Sequence, residues 1–352
     1  MINNKIFNAV LLNMLLVLPL FSLAQALPTN ENRSWADRLE YIGVAVEEPG
    51  YHVWGSSPVI GPSGKTHLFV SRWPVDAGFK AWITHSEIAR YVSDSPEGPF
   101  LFKEVVLTGT ETNTWDRKSP HNPHVQKVGN QYVLLYIANG GGSQKEKVAS
   151  QGIGMMIADS PEGPWTKVGE DGLILSPPKD TTVWSSGSVV GVNNPALLAH
   201  PDGRFFLYYK SMKQGDVRRM GVAIADNLQG PYVFHKTPLT SNDSEIEDGY
   251  AFFENGKICL LTTHNKAGEG YLWKSTDGIS FNKPLLGFER IKEYVGKESM
   301  QGVKVLRGKK FERPQLLMIN SKPQYLYLAS GVNFAGRNTS CSCVVRIRHP
   351  KE

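Results

Sequence analysis

The chain has 352 residues, 41% hydrophobic, 10% aromatic and 20% charged, with a formal charge of +5 at neutral pH. An apolar share of that size supports a globular core, and basic residues scattered along the chain exclude the concentrated patch that nucleic acid requires. Three cysteines, an odd count without zinc-type spacing, exclude a disulfide framework and a structural zinc site.

The chain opens with one basic residue, Lys5, followed by an uncharged apolar stretch from Ile6 to Leu23 and the small-residue exit Ala24-Gln25-Ala26. This pattern predicts a signal peptide over residues 1–26, and hence a periplasmic or secreted protein whose residues 27–352 form a single domain. No later segment has the length and apolarity of a membrane span, so no membrane association is expected after cleavage.

Beyond that point a phrase repeats. Ser93-Asp94-Ser95-Pro96-Glu97-Gly98-Pro99-Phe100 returns as Ala158-Asp159-Ser160-Pro161-Glu162-Gly163-Pro164-Trp165 and as Ala225-Asp226-Asn227-Leu228-Gln229-Gly230-Pro231-Tyr232, with a degraded copy at Ser275-Thr276-Asp277-Gly278-Ile279-Ser280-Phe281. Each copy ends an apolar run, turns through Gly and Pro and restarts on an aromatic residue, which reads as strand, tight turn, strand.

A second phrase alternates with the first. Ser57-Pro58, Asn122-Pro123, Asn194-Pro195, Asp248-Gly249 and Arg313-Pro314 each precede a hairpin and a strongly apolar strand. Pro suits the first residue of a strand, where its missing amide removes no ladder bond. Two phrases alternating through the chain predict an all-β, five-bladed β-propeller with four-stranded antiparallel blades.

These residues resemble glycoside hydrolase family 43 and its five-bladed relatives of the furanosidase superfamily, over Tyr41 to Arg348. The resemblance implies a carbohydrate-active domain with a carboxylate beside the strand-start Pro in each of the first three blades. The matching positions here are Ser57, Asn122 and Asn194, all uncharged. The resemblance also allows an axial calcium or sodium ion; no cofactor is otherwise called for, and no metal ligands can be picked out.

Catalytic groups must then come from other strand starts. Glu247, Asp248 and Glu312 lie at strand starts, where alternation turns some of them toward the axis, and two carboxyl groups with separated pKa values there would serve acid–base cleavage. His121 adjoins an Asn-Pro and titrates near neutrality, and Glu87 shares a face with His85 if that segment is extended. His121, Asp248, Glu312 and Glu87 are the catalytic candidates. Arg72, Trp73, His85, Asn122, Asn194, Glu247 and Arg313 are candidates for binding substrate: indole faces stack on sugar rings, amides pair with hydroxyls and guanidinium groups fork onto anions.

The expected activity is hydrolysis of an oligosaccharide from an acidic, uronate- or sulfate-bearing plant or algal polysaccharide. Two alternatives stand beside it: a uronate-sugar lyase or dehydratase with a His base, and a non-catalytic glycan-binding propeller.

Overall fold

A computed structural model describes residues 35–294, 304–305, 310–333 and 339–349. The predicted signal peptide lies outside them. Among the described residues no helix is long and apolar enough to cross a membrane.

Five antiparallel sheets follow one another along the chain as the blades of a propeller. Blade one runs Tyr51–Ile60, Thr66–Pro74, Glu87–Ser93 and Leu101–Leu107, from the axis outward. Blade two runs Lys118–Val128, Gln131–Asn139 and Gly152–Ala158, its outer position shared by the short strands Thr166–Lys167 and Leu173–Leu175. Blade three is Asn193–Ala199, Phe205–Ser211, Arg219–Ala225 and Val233–Phe234; blade four is Ile246–Glu254, Lys257–His264, Glu269–Ser275 and Leu285–Phe288. Blade five takes Phe311–Ile319, Lys322–Ser330 and Cys341–Ile347, and completes itself with the first strand of the fold, Leu39–Val46.

The first repeated phrase joins the third strand to the fourth in blades one to four, as its apolar-turn-aromatic order requires. The core lies between blades. Val133, Leu135, Met155 and Ile153 of blade two, for example, pack against Leu197, Leu207, Tyr209 and Ala223 of blade three. Strands buried on both faces explain why the apolar runs are continuous rather than alternating. Cys341 and Cys343, two apart on one strand, share a face with their sulfur atoms 4.0 Å apart, and both remain thiols.

The second phrase differs from its expected role. Pro123, Pro195 and Pro314 do not begin their strands; each lies inside the innermost strand, in a β-bulge. A bulge also leaves a backbone N–H out of the ladder, so the reason for tolerating Pro survives although its position changes.

Candidate functional site

The bulge repeats in all five innermost strands. Two residues stand opposite one between the ladder pairs Trp54–Ser71 and Ser57–Phe69, His121–Ile137 and His124–Leu135, Asn193–Lys210 and Ala196–Tyr208, Glu247–Thr263 and Tyr250–Leu261, and Glu312–Ala329 and Gln315–Tyr327. The first bulged residue always has a left-handed backbone: φ is 63° at Gly55, 49° at Asn122, 53° at Asn194, 62° at Asp248 and 54° at Arg313. Asn and Asp tolerate that region because their short polar groups bond locally. Gly55 rather than Ser57 is therefore the blade-one counterpart of Asn122 and Asn194; Ser57 lies deeper, donating to Gln315 Oε1 at 3.0 Å.

This geometry stacks side chains in tiers around the axis. The upper tier, one residue per blade, is Trp54, His121, Asn193, Glu247 and Glu312, and all five line a single pocket of about 160 Å³. The tier beneath is Gly55, Asn122, Asn194, Asp248 and Arg313. Asn122 Nδ2 donates to Asn194 Oδ1 at 2.7 Å, Asn194 Nδ2 donates to Asp248 Oδ1, and the Arg313 backbone N–H donates to Asp248 Oδ2 at 3.3 Å. Gly55 completes this tier by having no side chain: a Cβ there would lie 2.9 Å from Asn122 Oδ1 and 3.3 Å from Arg313 Cγ.

Above the tiers, the segment between the second and third strands of blade one turns through Phe79–Ala81 and the helical turn Trp82–His85. It brings Phe79 and Trp82 to the pocket beside Trp54 and Trp73. The wall is thus largely aromatic on one side. On the other it is polar: Gln151, Asn193, Lys210, Arg218 and Asn265.

Electrostatics divide the carboxyl groups. Burial alone would raise the pKa of Glu247, but Lys210 at 2.7 Å and Arg218 at 3.5 Å, with an Asn265 hydrogen bond, hold it below the usual range. Asp248 moves the other way: burial and the neighbouring Glu247 charge raise its pKa, and Lys210 and Arg313 compensate only in part. Glu312 lies in the upper tier, 3.9 Å from Lys310. Burial, with Arg313 and Lys210 nearby, depresses His121 to about 3, so its imidazole is neutral. Its Nδ1 is 2.8 Å from Ser86 Oγ, and the ring packs on Trp82 and Trp73.

Of the residues singled out in the sequence, His121, Asn122, Asn194, Glu247, Asp248, Glu312 and Trp73 come together in the pocket. Arg313 lies directly beneath it, fully buried. Arg72, Glu87 and His85 do not line it. Arg72 is held by Glu48 at 2.7 Å and Glu87 at 2.8 Å and covered by the Tyr51 and Phe102 rings, so its charge is used within the fold. His85 is exposed and ends a helical turn, which removes the extended spacing that would have set it beside Glu87. Arg72→Met is accordingly expected to lower the melting temperature while leaving substrate affinity unchanged, comparing thermal melts with a binding isotherm.

Lys210, Arg218, Gln151, Asn265, Trp82 and Phe79 line the pocket without having been expected there. Lys210 carried a signal, a lone cation closing the apolar run Phe205-Phe206-Leu207-Tyr208-Tyr209. The others lie on connections or strand ends with no distinguishing pattern. Among the described residues no three His, Cys, Asp or Glu side chains gather as a metal site.

No family model matches the chain. Among curated proteins it is similar to the extracellular endo-alpha-(1->5)-L-arabinanase 2 of Bacillus subtilis, 26% identical over 193 residues, which is 49% of this chain and 37% of the arabinanase. The match therefore spans little more than a third of that relative's length. Among solved structures it resembles a family 117 glycoside hydrolase of the marine bacterium Zobellia galactanivorans, with a TM-score of 0.66 at 16% identity over 88% of this chain and 90% of that one. It also resembles a family 43 enzyme of Xanthomonas citri solved with xylotriose, with a TM-score of 0.59 at 16% identity over 90% of this chain and 92% of that one. The chain thus has the five-bladed propeller fold of the family 43 and family 117 glycoside hydrolases.

Proposed function

We propose that the protein is an exported glycoside hydrolase that releases a terminal sugar from an oligosaccharide. The observation that carries this reading is the convergence of Glu312 and Asp248, whose pKa burial raises, in one aromatic-walled pocket. Cleavage of a glycosidic bond needs one carboxyl group to protonate the leaving oxygen and another to activate water or attack. Asp248, whose carboxyl is raised by burial, is the proton donor; Glu312 is the second group. Glu247, held ionised by three donors, supplies a fixed negative charge facing the positive charge that develops on the sugar ring.

The lower tier, Arg313 included, forms the floor of the pocket, which suits a substrate entering by its end. Trp54, Trp82 and Phe79 offer faces for stacking, and the amides of Asn193 and Gln151 suit ring hydroxyls. Lys210 and Arg218 are the cations of the pocket and both are paired with Glu247, but Arg218 Nε is buried without a hydrogen-bond partner and is the donor left for an anionic group. That supports a uronate or sulfated sugar at the chain end.

The depressed pKa of His121 weighs against elimination with a His base, since an imidazole so hard to protonate abstracts a proton poorly. The deciding measurement is mass spectrometry of the protein incubated with oligosaccharides ending in uronate, sulfated and neutral residues. Products summing to substrate plus one water, with uronate or sulfated ends preferred and turnover lost in Glu312→Gln, are expected. Conserved summed mass with a new unsaturation would overturn hydrolysis in favour of elimination, an unchanged panel would leave a glycan-binding propeller, and preferred neutral ends would remove the acidic substrate.

A further inference from the structure

Arg313 is the one long side chain in the lower tier, and it is fully buried. It starts from blade five in a left-handed conformation, at φ 54°, that is unusual for a residue of this size. From there Nη2 donates to Asn122 O at 3.0 Å and reaches Pro195 O at 3.4 Å and Pro123 O at 3.5 Å, carbonyls of blades two and three. On the blade-one side Gly55 leaves the room it needs. The guanidinium therefore stands on the axis with main-chain oxygens from two other blades converging on it and the Asp248 carboxyl beside its own backbone N–H.

We propose that this guanidinium is the propeller's axial cation, built into the chain, and that it takes the place of a bound metal ion. Two observations show that calcium or sodium does not fit beside it. The carbonyl oxygens that would ligate an ion are already engaged by Nη2. Of the orphaned buried atoms around this tier, Arg313 Nε and Nη1 and Gln315 Nε2 are N–H donors, which ask for an acceptor such as water and repel a cation, and Asn122 Oδ1 is a single acceptor, too few for the oxygen shell an ion needs. Burial lowers the Arg313 pKa to about 10, with Asp248 and Glu247 opposing, so the group stays charged at neutral pH. The inference is independent of the reaction performed in the pocket above.

The test uses the full chain, purified without added metal. Elemental analysis is expected to find no stoichiometric calcium, and the melting temperature is expected to be the same in chelator, in calcium and with sodium exchanged for potassium. Arg313→Ala, which strips the tier of its cation, should melt roughly 10 °C lower, with part of the loss restored by millimolar guanidinium ion and none by methylated urea of similar shape. One calcium per chain carried through gel filtration, together with a melting temperature that falls in chelator and recovers with calcium, would overturn the proposal. So would an Arg313→Ala protein that melts like the parent. If that variant does not fold, the metal analysis and chelator melts of the parent protein decide alone.

Discussion

Asp248→Asn is expected to reduce oligosaccharide cleavage by roughly 10²–10⁴-fold, the usual contribution of a positioned general acid. The substitution keeps the volume and one acceptor of the carboxyl, so the Asn194 contact persists, and the Arg313 N–H that loses Asp248 Oδ2 keeps Thr263 Oγ1 at 3.2 Å. What disappears is the transferable proton. In the parent protein activity should fall as pH rises through the raised pKa of Asp248, and that alkaline limb should be missing from the residual activity of the variant. Stability carries the same signature. A carboxyl whose folded pKa is raised contributes stability below its unfolded value and loses it as pH rises through the folded value. The parent should therefore lose melting temperature relative to Asp248→Asn over that rise, as thermal melts across a pH series would show. Parallel melts without any loss of turnover would remove Asp248 from the reaction.

Lys210→Met should be the most damaging single change to stability in the pocket wall. It leaves Glu247 buried with Arg218 and Asn265 but without its closest cation, and breaking a buried pair from one side costs about 3–5 kcal/mol. The deficit depends on pH with a definite sign. Glu247, whose folded pKa is lowered, contributes stability above its unfolded value and loses it as pH falls through the folded value. The gap between parent and variant should therefore be widest at neutral pH and narrow in acid, as Glu247 protonates in both. Denaturant unfolding at neutral and acid pH measures it; a pH-independent gap would mean that Lys210 matters by packing alone.

The blades were legible in the sequence because hairpins are local. Gly-Pro turns and apolar runs such as Phe205-Phe206-Leu207-Tyr208-Tyr209 announce strands without knowledge of what they pack on. The pocket was legible only in part, and the bulge is the reason. Strict alternation turns one of two consecutive residues inward, yet His121 and Asn122, Asn193 and Asn194, and Glu247 and Asp248 all line the pocket as consecutive pairs. The Asn-Pro, Arg-Pro and Asp-Gly dipeptides marked those bulges. Blade one broke the pattern with Gly55-Ser56, which is why Ser57 stood in for Gly55. In the sequence Arg72 and Arg313 suit an anion equally well, because a guanidinium there does not reveal its partners. Glu48 and main-chain carbonyls of other blades, distant in the chain, had already claimed them.

The pairing of Leu39–Val46 with Cys341–Ile347 sets an order of events. The earliest strand to be synthesised must wait, unpartnered, for the latest, and bringing two such distant segments together costs on the order of 5 kcal/mol of chain entropy. Until then blade five lacks two strands, and an unfinished edge of this kind recruits strands from other molecules. A chain stalled or clipped before residue 341 is in that sense an adhesive. The arrival of Cys341–Ile347 is what covers that edge and lets the waiting strand pair.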